Sequence, residues 1–442
     1  MGYTDKFRKV AVLGAAGKMG SGILLLTAME MTDLMLQNKE LKLVLYAVDV
    51  SADGLSGLLQ YVQSQVVRAA EKKTVLLRKL YADRKDLIEN GDVIEQYTKD
   101  VLATIRISPH LSDIYDSSLV FEAIKEDPKL KVSILREIDA NSQESPWFFT
   151  NTSSIPIGEL NTDAGLNGRI IGFHFYNPPA VQKLVELIPT EDCKPELIEF
   201  AKNYARNLRK KIVPSNDFAG FIGNGHFMRD ALHGIIEAKK LNDQFSFAES
   251  VYIMNSISQD FLLRPMGIFQ LIDYVGIDVV SYIMQVMNPY LPDEELHSEL
   301  LDQLLTKGVK GGQFSNGTQK DGFFQYKKGR ISHVYELKTG AYVPVDEIVK
   351  KSESFTGPLP QPANWKQVNF SPGKKEMLEN FFSKLKSMDT KGAKLARNYV
   401  LESKRIGELL VNTGVAASVD DVNKVLETGF YHAYGPINNY FN

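Results

Sequence analysis

The stretch VAVLGAAGKMGSGI, residues 10–23, decides how this chain is read. An apolar run ends at Leu13, and glycines follow at 14, 17 and 20 before an apolar helical pattern begins. A strand feeding a glycine turn and then a helix is the entry to a mononucleotide-binding fold. Gly14 permits the tight turn, Gly17 lets the backbone approach a pyrophosphate, and Gly20 lets the helix pack close to the sheet. The amides and positive end of that helix suit phosphate. Gly14, Gly17, Lys18, Met19 and Gly20 are therefore the first candidate cofactor ligands. The spacing is Gly-x-x-Gly-x-x-Gly rather than the commoner Gly-x-Gly-x-x-Gly, and a plain structural turn is the competing account.

Beyond this loop, residues 43–48 (LVLYAV) read as a second strand, 118–123 as a third, 147–150 as a fourth and 170–174 as a fifth. Helical patterns over 55–70 and 127–142 lie between them. Apolar strands separated by helices predict a parallel sheet covered on both faces. The second strand ends in Asp49, where an acid accepts hydrogen bonds from the adenosine ribose and repels a 2′-phosphate, so NAD is expected rather than NADP. Capping of the next helix is the alternative role for Asp49. Gly14 and Asp49 stand further apart than the usual ~20 residues. An extended first helix or an inserted loop at about residues 30–41 accounts for the excess.

With 442 residues, the chain is long enough for two or three domains. Hydrophobic residues at 44% and charged residues at 24% exclude a disordered or fibrous protein. Lys plus Arg number 51 against 54 Asp plus Glu, so no basic excess marks a nucleic-acid partner. The one cysteine, Cys193, excludes an intrachain disulfide and any cysteine-cluster metal site, and no metal is expected. The N-terminus lacks a secretory pattern. The apolar run 23–29 falls short of the ~20 residues of a membrane span, so no membrane span and a soluble, cytoplasmic protein are expected.

After Phe218 the strand pattern gives way to helical periodicity over 220–308. Residues 309–365 are rich in Gly, Pro, Ser and Asn, with a possible hairpin around 326–342 and a proline-rich linker at 357–365. A final helical region follows from Lys374. Glu237 and Pro265 are matched by Glu408 and Pro436 at an offset of 171 residues, which indicates a duplicated helical segment or two unrelated ones. The expected fold class is an α/β Rossmann-type doubly wound N-terminal domain followed by two all-α helical domains. The expected boundaries are 1–215 for the nucleotide-binding domain, 216–330 for the first helical domain, 331–365 for an irregular linker and 366–442 for a second, degenerate helical copy.

His174 follows the fifth strand in IIGFHFYNPPAVQKLVELIPT, residues 170–190, and Glu186 lies twelve residues on in another strand-like run. A histidine oriented by a carboxylate moves a proton near neutral pH; a satisfied structural histidine is the competing account. The segments NTSS (151–154), GFHFYNPP (172–179), KLVEL (183–187), DFAGFIGN (217–224) and VFEAIKEDPKLK (120–131) resemble the L-3-hydroxyacyl-CoA dehydrogenase family over roughly residues 8–330. The resemblance implies NAD-dependent, reversible oxidation of an L-3-hydroxyacyl-CoA to the 3-ketoacyl-CoA. It implies His174 as catalytic base, Glu186 as its orienting partner, and Ser153 and Asn224 as hydrogen-bond partners of the reacting oxygen, with Ser153 beside the nicotinamide. It also implies Glu126 and Lys131 as cofactor contacts and Lys72 as a CoA-phosphate contact.

Departures from the family pattern are Gly225 where an arginine follows the asparagine, Gln182 where a methionine precedes Lys-Leu-Val-Glu, and QKDGFFQY (319–326) in place of a more glycine-rich tail. The segments 265–273 and 418–441 both resemble the family's helical domain. That implies two copies in one chain: a monomer with an internal pseudo-dimer, or a homodimer. An acyl-CoA thioester is the expected partner. A dehydrogenase of a free hydroxy acid or sugar acid is the alternative, and a non-catalytic NAD-binding protein the remote one.

Overall fold

The computed structural model describes residues 2–314 and 317–441. The chain divides into two compact units, Met1–Asp217 and Phe218–Asn442. The first boundary expected at 215 thus falls two residues later.

In the first unit eight strands form one sheet: β1 (Lys9–Leu13), β2 (Val44–Val48), β3 (Ile105–Ser108), β4 (Leu119–Glu122), β5 (Trp147–Thr150), β6 (Ile170–Phe175), β7 (Leu184–Pro189) and β8 (Lys211–Pro214). Their order is β3-β2-β1-β4-β5-β6-β7-β8. The first six are parallel, while β7 runs antiparallel to β6, so the sheet is mixed rather than wholly parallel. Connecting helices are α1 (Lys18–Gln37), α2 (Ala52–Lys72), α3 (Thr74–Leu80), α4 (Asn90–Thr104), α5 (Pro128–Asn141), α6 (Ile157–Ala164) and α7 (Pro195–Asn207). β4, β5 and β6 are buried along their whole length, as strands covered on both faces must be. Strand order reverses between β1 and β4, which opens a crevice at their carboxyl ends, the usual ligand position in such sheets.

The excess between Gly14 and Asp49 is an extended helix. α1 runs to Gln37, and its far half is anchored by Asp33, which accepts hydrogen bonds from Lys73 at 2.9 Å and Tyr97 at 2.7 Å. By length and composition α1 could cross a membrane, yet half of its apolar window is buried within this fold.

The second unit contains α8 (Gly223–Leu241), α9 (Phe247–Ser256), α10 (Ile268–Val275), α11 (Ile277–Met287), α12 (Glu299–Thr306), then β9 (Phe324–Lys327), β10 (Arg330–Glu336) and β11 (Ala341–Pro344). α13 (Val345–Thr356), α14 (Trp365–Asn369), α15 (Lys374–Ser387), α16 (Lys391–Asn412) and α17 (Val419–Gly429) follow. Two expectations are corrected here. The unit is not all-α, because β9, β10 and β11 form an antiparallel sheet. Nor is 331–365 an irregular linker: two strands and a twelve-residue helix occupy most of it. Lys328 and Gly329 both take positive φ, and this is the turn that matches strand twist in a two-residue hairpin.

Shifting α8 and α9 by 171 residues lays them on α16 and α17. α8 and α16 pack together through a buried polar cluster. Arg264 pairs with Asp230 at 2.7 Å and donates to the Ser403 hydroxyl at 3.0 Å, while the Tyr399 hydroxyl donates to the Asp230 carbonyl at 3.1 Å. Asp273 on α10 accepts the backbone amides of Phe323 and Phe324 at 2.7 and 2.9 Å and the Tyr326 hydroxyl at 3.0 Å. Those bonds tie the QKDGFFQY segment to the helical core.

Candidate active site

The glycine loop closes where β1, β4 and α1 meet. Gly14 has φ +70, and a Cβ there would collide with the Ala123 carbonyl. A Cβ on Gly20 would collide with the Gly14 carbonyl, so helix and loop touch through backbone alone. α1 begins with Gly17 as its N-cap and has no acidic residue in its first turn, which keeps that end receptive to an anion. Lys18 and Met19 form this first turn.

Beside the loop lies a cavity of about 500 Å³, walled by Gly14, Gly17, Asp49, Val50, Leu111 and Ile124 among others. Asp49 is fixed at its rim. Its Oδ2 accepts the Ala16 amide at 3.0 Å and its Oδ1 the Ser51 amide at 2.9 Å. Helix α2 is capped instead by Ser51, whose hydroxyl accepts the Gly54 amide at 3.0 Å. The capping account of Asp49 therefore fails. Shape, apolar walls and a rim carboxylate together fit a dinucleotide without a 2′-phosphate.

At the next strand ends a buried charge cluster holds the NTSS loop. Glu122, the last residue of β4, is fully buried and accepts Lys131 Nζ at 2.6 Å and the Thr150 hydroxyl at 2.6 Å. Lys131 also pairs with Glu126 at 3.2 Å. Glu126 in turn accepts the Thr152 hydroxyl at 2.6 Å and the amides of Ser153 and Ser154 at 2.9 and 3.1 Å. Burial works to discharge the Lys131 ammonium, but the two carboxylates outweigh it and hold its pKa above the ordinary value. Here the expectation for Lys131 is corrected: at 1% exposure it presents no ammonium to a cofactor and acts by holding Glu126. Ser153 is half-buried, with its hydroxyl 3.3 Å from that of Ser154.

His174 and Glu186 face each other across the β6–β7 pair, which is why twelve residues separate them. The imidazole Nδ1 lies 3.2 Å from Glu186 Oε1. Glu186 is fully buried and His174 nearly so. The Tyr176 hydroxyl donates to the same Oε1 at 2.7 Å, and its ring packs on the imidazole with centroids 4.9 Å apart. The Asn151 side chain accepts the Phe175 amide at 2.9 Å and so ties the NTSS loop to the strand that carries His174.

The structure thus places the glycine loop, Asp49, Glu126, Ser153 and His174 at or just beyond the carboxyl ends of parallel strands of one sheet, with Glu186 opposite His174 on β7. Asn224 stands in the other unit, half-buried in the first turn of α8. Lys72 is exposed at the end of α2 and does not line the nucleotide cavity. The sequence reading missed Tyr176, Thr152, Thr150 and Glu122. A readable signal for Glu122 was an acid closing an otherwise apolar strand.

A sequence model of the 3-hydroxyacyl-CoA dehydrogenase NAD binding domain matches residues 9–218, and one of the 3-hydroxyacyl-CoA dehydrogenase C-terminal domain matches 255–326. The 3-hydroxybutyryl-CoA dehydrogenase of Bradyrhizobium diazoefficiens is 30% identical over 72% of this chain and 96% of its own. The human mitochondrial hydroxyacyl-coenzyme A dehydrogenase is 30% identical over 60% and 82%. Among solved structures, Mycobacterium tuberculosis FadB2 superposes with a TM-score of 0.55 at 25% identity, covering 73% of this chain and 99% of its own. The Escherichia coli 3-hydroxybutyryl-CoA dehydrogenase reaches 0.63 over 98% of this chain and 90% of its own at 18% identity, so the likeness of fold runs through the C-terminal helices.

Proposed function

The chain belongs to the 3-hydroxyacyl-CoA dehydrogenase family, and we propose that it oxidises L-3-hydroxyacyl-CoA thioesters reversibly with His174 as the base. It is an NAD-binding oxidoreductase by that membership. The observation that carries the proposal is the His174–Glu186 pair, directly opposed in register beside the nucleotide crevice.

Bound NAD supplies the hydride acceptor. The residues of the chain do the rest. Glu186 accepts a hydrogen bond from Nδ1–H, which leaves Nε2 of His174 as the basic nitrogen for the substrate hydroxyl. The imidazolium that forms on proton removal is stabilised by the buried carboxylate behind it. Ser153 supplies a hydrogen bond to the reacting oxygen, and the family resemblance gives Asn224 the same role. Glu126 fixes Ser153 by gripping the amide on either side of its side chain. Asp49 receives the adenosine ribose, with Gly14, Gly17, Lys18, Met19 and Gly20 around the pyrophosphate. In the reverse direction His174 returns its proton as general acid.

We take α16 and α17 as a second copy of the helical domain, filling within one chain the place a partner's helices would take. The buried, unpaired Cys193 suits a reducing compartment such as the cytoplasm.

The test is NADH formation with L-3-hydroxybutyryl-CoA, a longer L-3-hydroxyacyl-CoA and free L-3-hydroxybutyrate, with His174→Gln as control. Thioester turnover lost in the variant is the expected result. Turnover of the free acid alone, or of none of the three despite NAD binding, would overturn the proposed substrate.

A further inference from the structure

We propose that Tyr176 is a positioning residue for the reaction: by sharing Oε1 of Glu186 with His174 it holds the carboxylate in place and makes His174 a weaker base than an undivided carboxylate would. The proposal rests on the reading of His174 as the base. Two donors converge on one oxygen, and the tyrosine holds the shorter bond, 2.7 Å against 3.2 Å from the imidazole. A hydrogen bond to an ionised acceptor is a strong one, and it draws negative charge toward its donor. The imidazolium that forms during turnover then faces a carboxylate whose charge is already engaged.

Geometry supports a designed arrangement of the three side chains. His174 lies on β6 and Tyr176 one residue beyond its end, and both side chains reach the same Glu186 oxygen. Their rings lie 4.9 Å apart, which leaves the imidazole little room to turn. Burial, and then the Glu186 charge, push the Tyr176 phenol well above its ordinary range, so it stays a donor throughout the working pH range.

Among the described residues, the charged groups on the elements around this trio are the same in every variant; Lys210, just before β8, holds its ammonium on the Pro179 and Gln182 carbonyls, 5.8 Å from the Phe175 ring. β8 offers Val213 opposite Glu186. Lys183 and Lys211 are exposed where β7 and β8 begin, and Glu159 and Asp217 lie at the start of α6. α7 turns Glu196, Glu199, Lys202 and Arg206 to solvent. Glu122 on β4 is already occupied by Lys131.

The experiment is an NMR titration of the His174 imidazole in the full NAD-free chain, its signal assigned by its loss in His174→Gln. Tyr176→Phe keeps the ring and removes the donor, so the titration should move up by roughly half to one pH unit. Replacing Tyr176 with 3-fluorotyrosine strengthens the donor and should move it down. The acid limb of kcat against pH should follow, with KM for NAD changed less than about twofold. Titrations of both variants that overlay the unmodified protein would overturn the proposal. Opposite shifts without thioester turnover would uphold it and overturn the substrate assignment instead, so the two failures are distinct.

Discussion

Replacing Lys131 with methionine should unfold the nucleotide-binding unit far more readily than any surface change. The ammonium is 1% exposed and lies 2.6 Å from Glu122 and 3.2 Å from Glu126. Methionine keeps the volume and removes the charge, so Glu122, itself fully buried, is left without its counter-ion. Breaking a buried pair in this way costs about 3–5 kcal/mol. Domains are stable by only about 5–15 kcal/mol, so this is about a fifth of the total at the least and can be all of it. At about 2–4 °C per kcal/mol for a unit of this size, Tm should fall by about 6–20 °C. The chain has two tryptophans, and Trp147 of β5 is the one in this unit. In a Trp365→Phe background its fluorescence therefore reports the unit alone during urea or thermal unfolding. Adding Glu122→Gln should recover at least about 1 kcal/mol, because a neutral amide no longer needs the ammonium. A loss below about 1 kcal/mol in the single variant would refute the view that this cluster holds the unit together.

Three further outcomes are expected. His174→Gln should lower kcat by about 10²–10⁴ with NAD affinity intact, measured by turnover and by NAD titration. Asp49→Ala should weaken NAD about tenfold, since it removes the ribose acceptor and frees the Ala16 and Ser51 amides, and calorimetric titration with NAD and NADP checks it. In the second unit, burial lowers the pKa values of His226, His233 and His432, the last most strongly. Folded-state values below the unfolded one mean that this stability is fully present above about pH 6.5 and lost as pH falls, by up to about 1.4 kcal/mol per proton per pH unit. Burial raises Asp273 to about 8, so its contribution runs the other way and is lost as pH rises from about 4 toward 8. The unit's unfolding midpoint, followed by Trp365 in a Trp147→Phe background, should therefore peak near pH 6–7. His432→Gln should flatten the acid side, and Asp273→Asn the alkaline side.

The dyad was legible because its spacing is strand geometry: two strands and a connection bring His174 opposite Glu186, and both lie in apolar runs. The glycine loop and Asp49 were legible because each answers a backbone or ribose requirement that few residues meet. β3 and β8 were not, since IRIS and KIVP are short edge strands with exposed positions and a proline end. The hairpin after Tyr326 was half legible. Its alternation was present, but the surrounding Gly, Ser and Asn gave the segment a linker's composition. Lys131 shows the limit most clearly. A lysine four residues into an amphipathic helix reads as solvent-facing or ligand-binding, and only the position of Glu122 on the neighbouring strand end makes it a buried counter-ion.

The departure at Gly225 has a cause within the chain. An ideal Cβ at that position would stand 3.0 Å from Leu410 Cδ2 on α16, so any side chain there would require that leucine to give way. One turn further along α8, Arg229 donates to the Gly225 carbonyl at 2.7 Å and grips Glu294 at 2.6 Å. A guanidinium is thus present on the same helix, with its charge spent on a carboxylate of its own unit. The loss of the usual arginine beside Asn224 therefore goes with the presence of α16. On this account Asn224 keeps its place in the first turn of α8 through close helix–helix contact, and the adjoining glycine is what allows that contact.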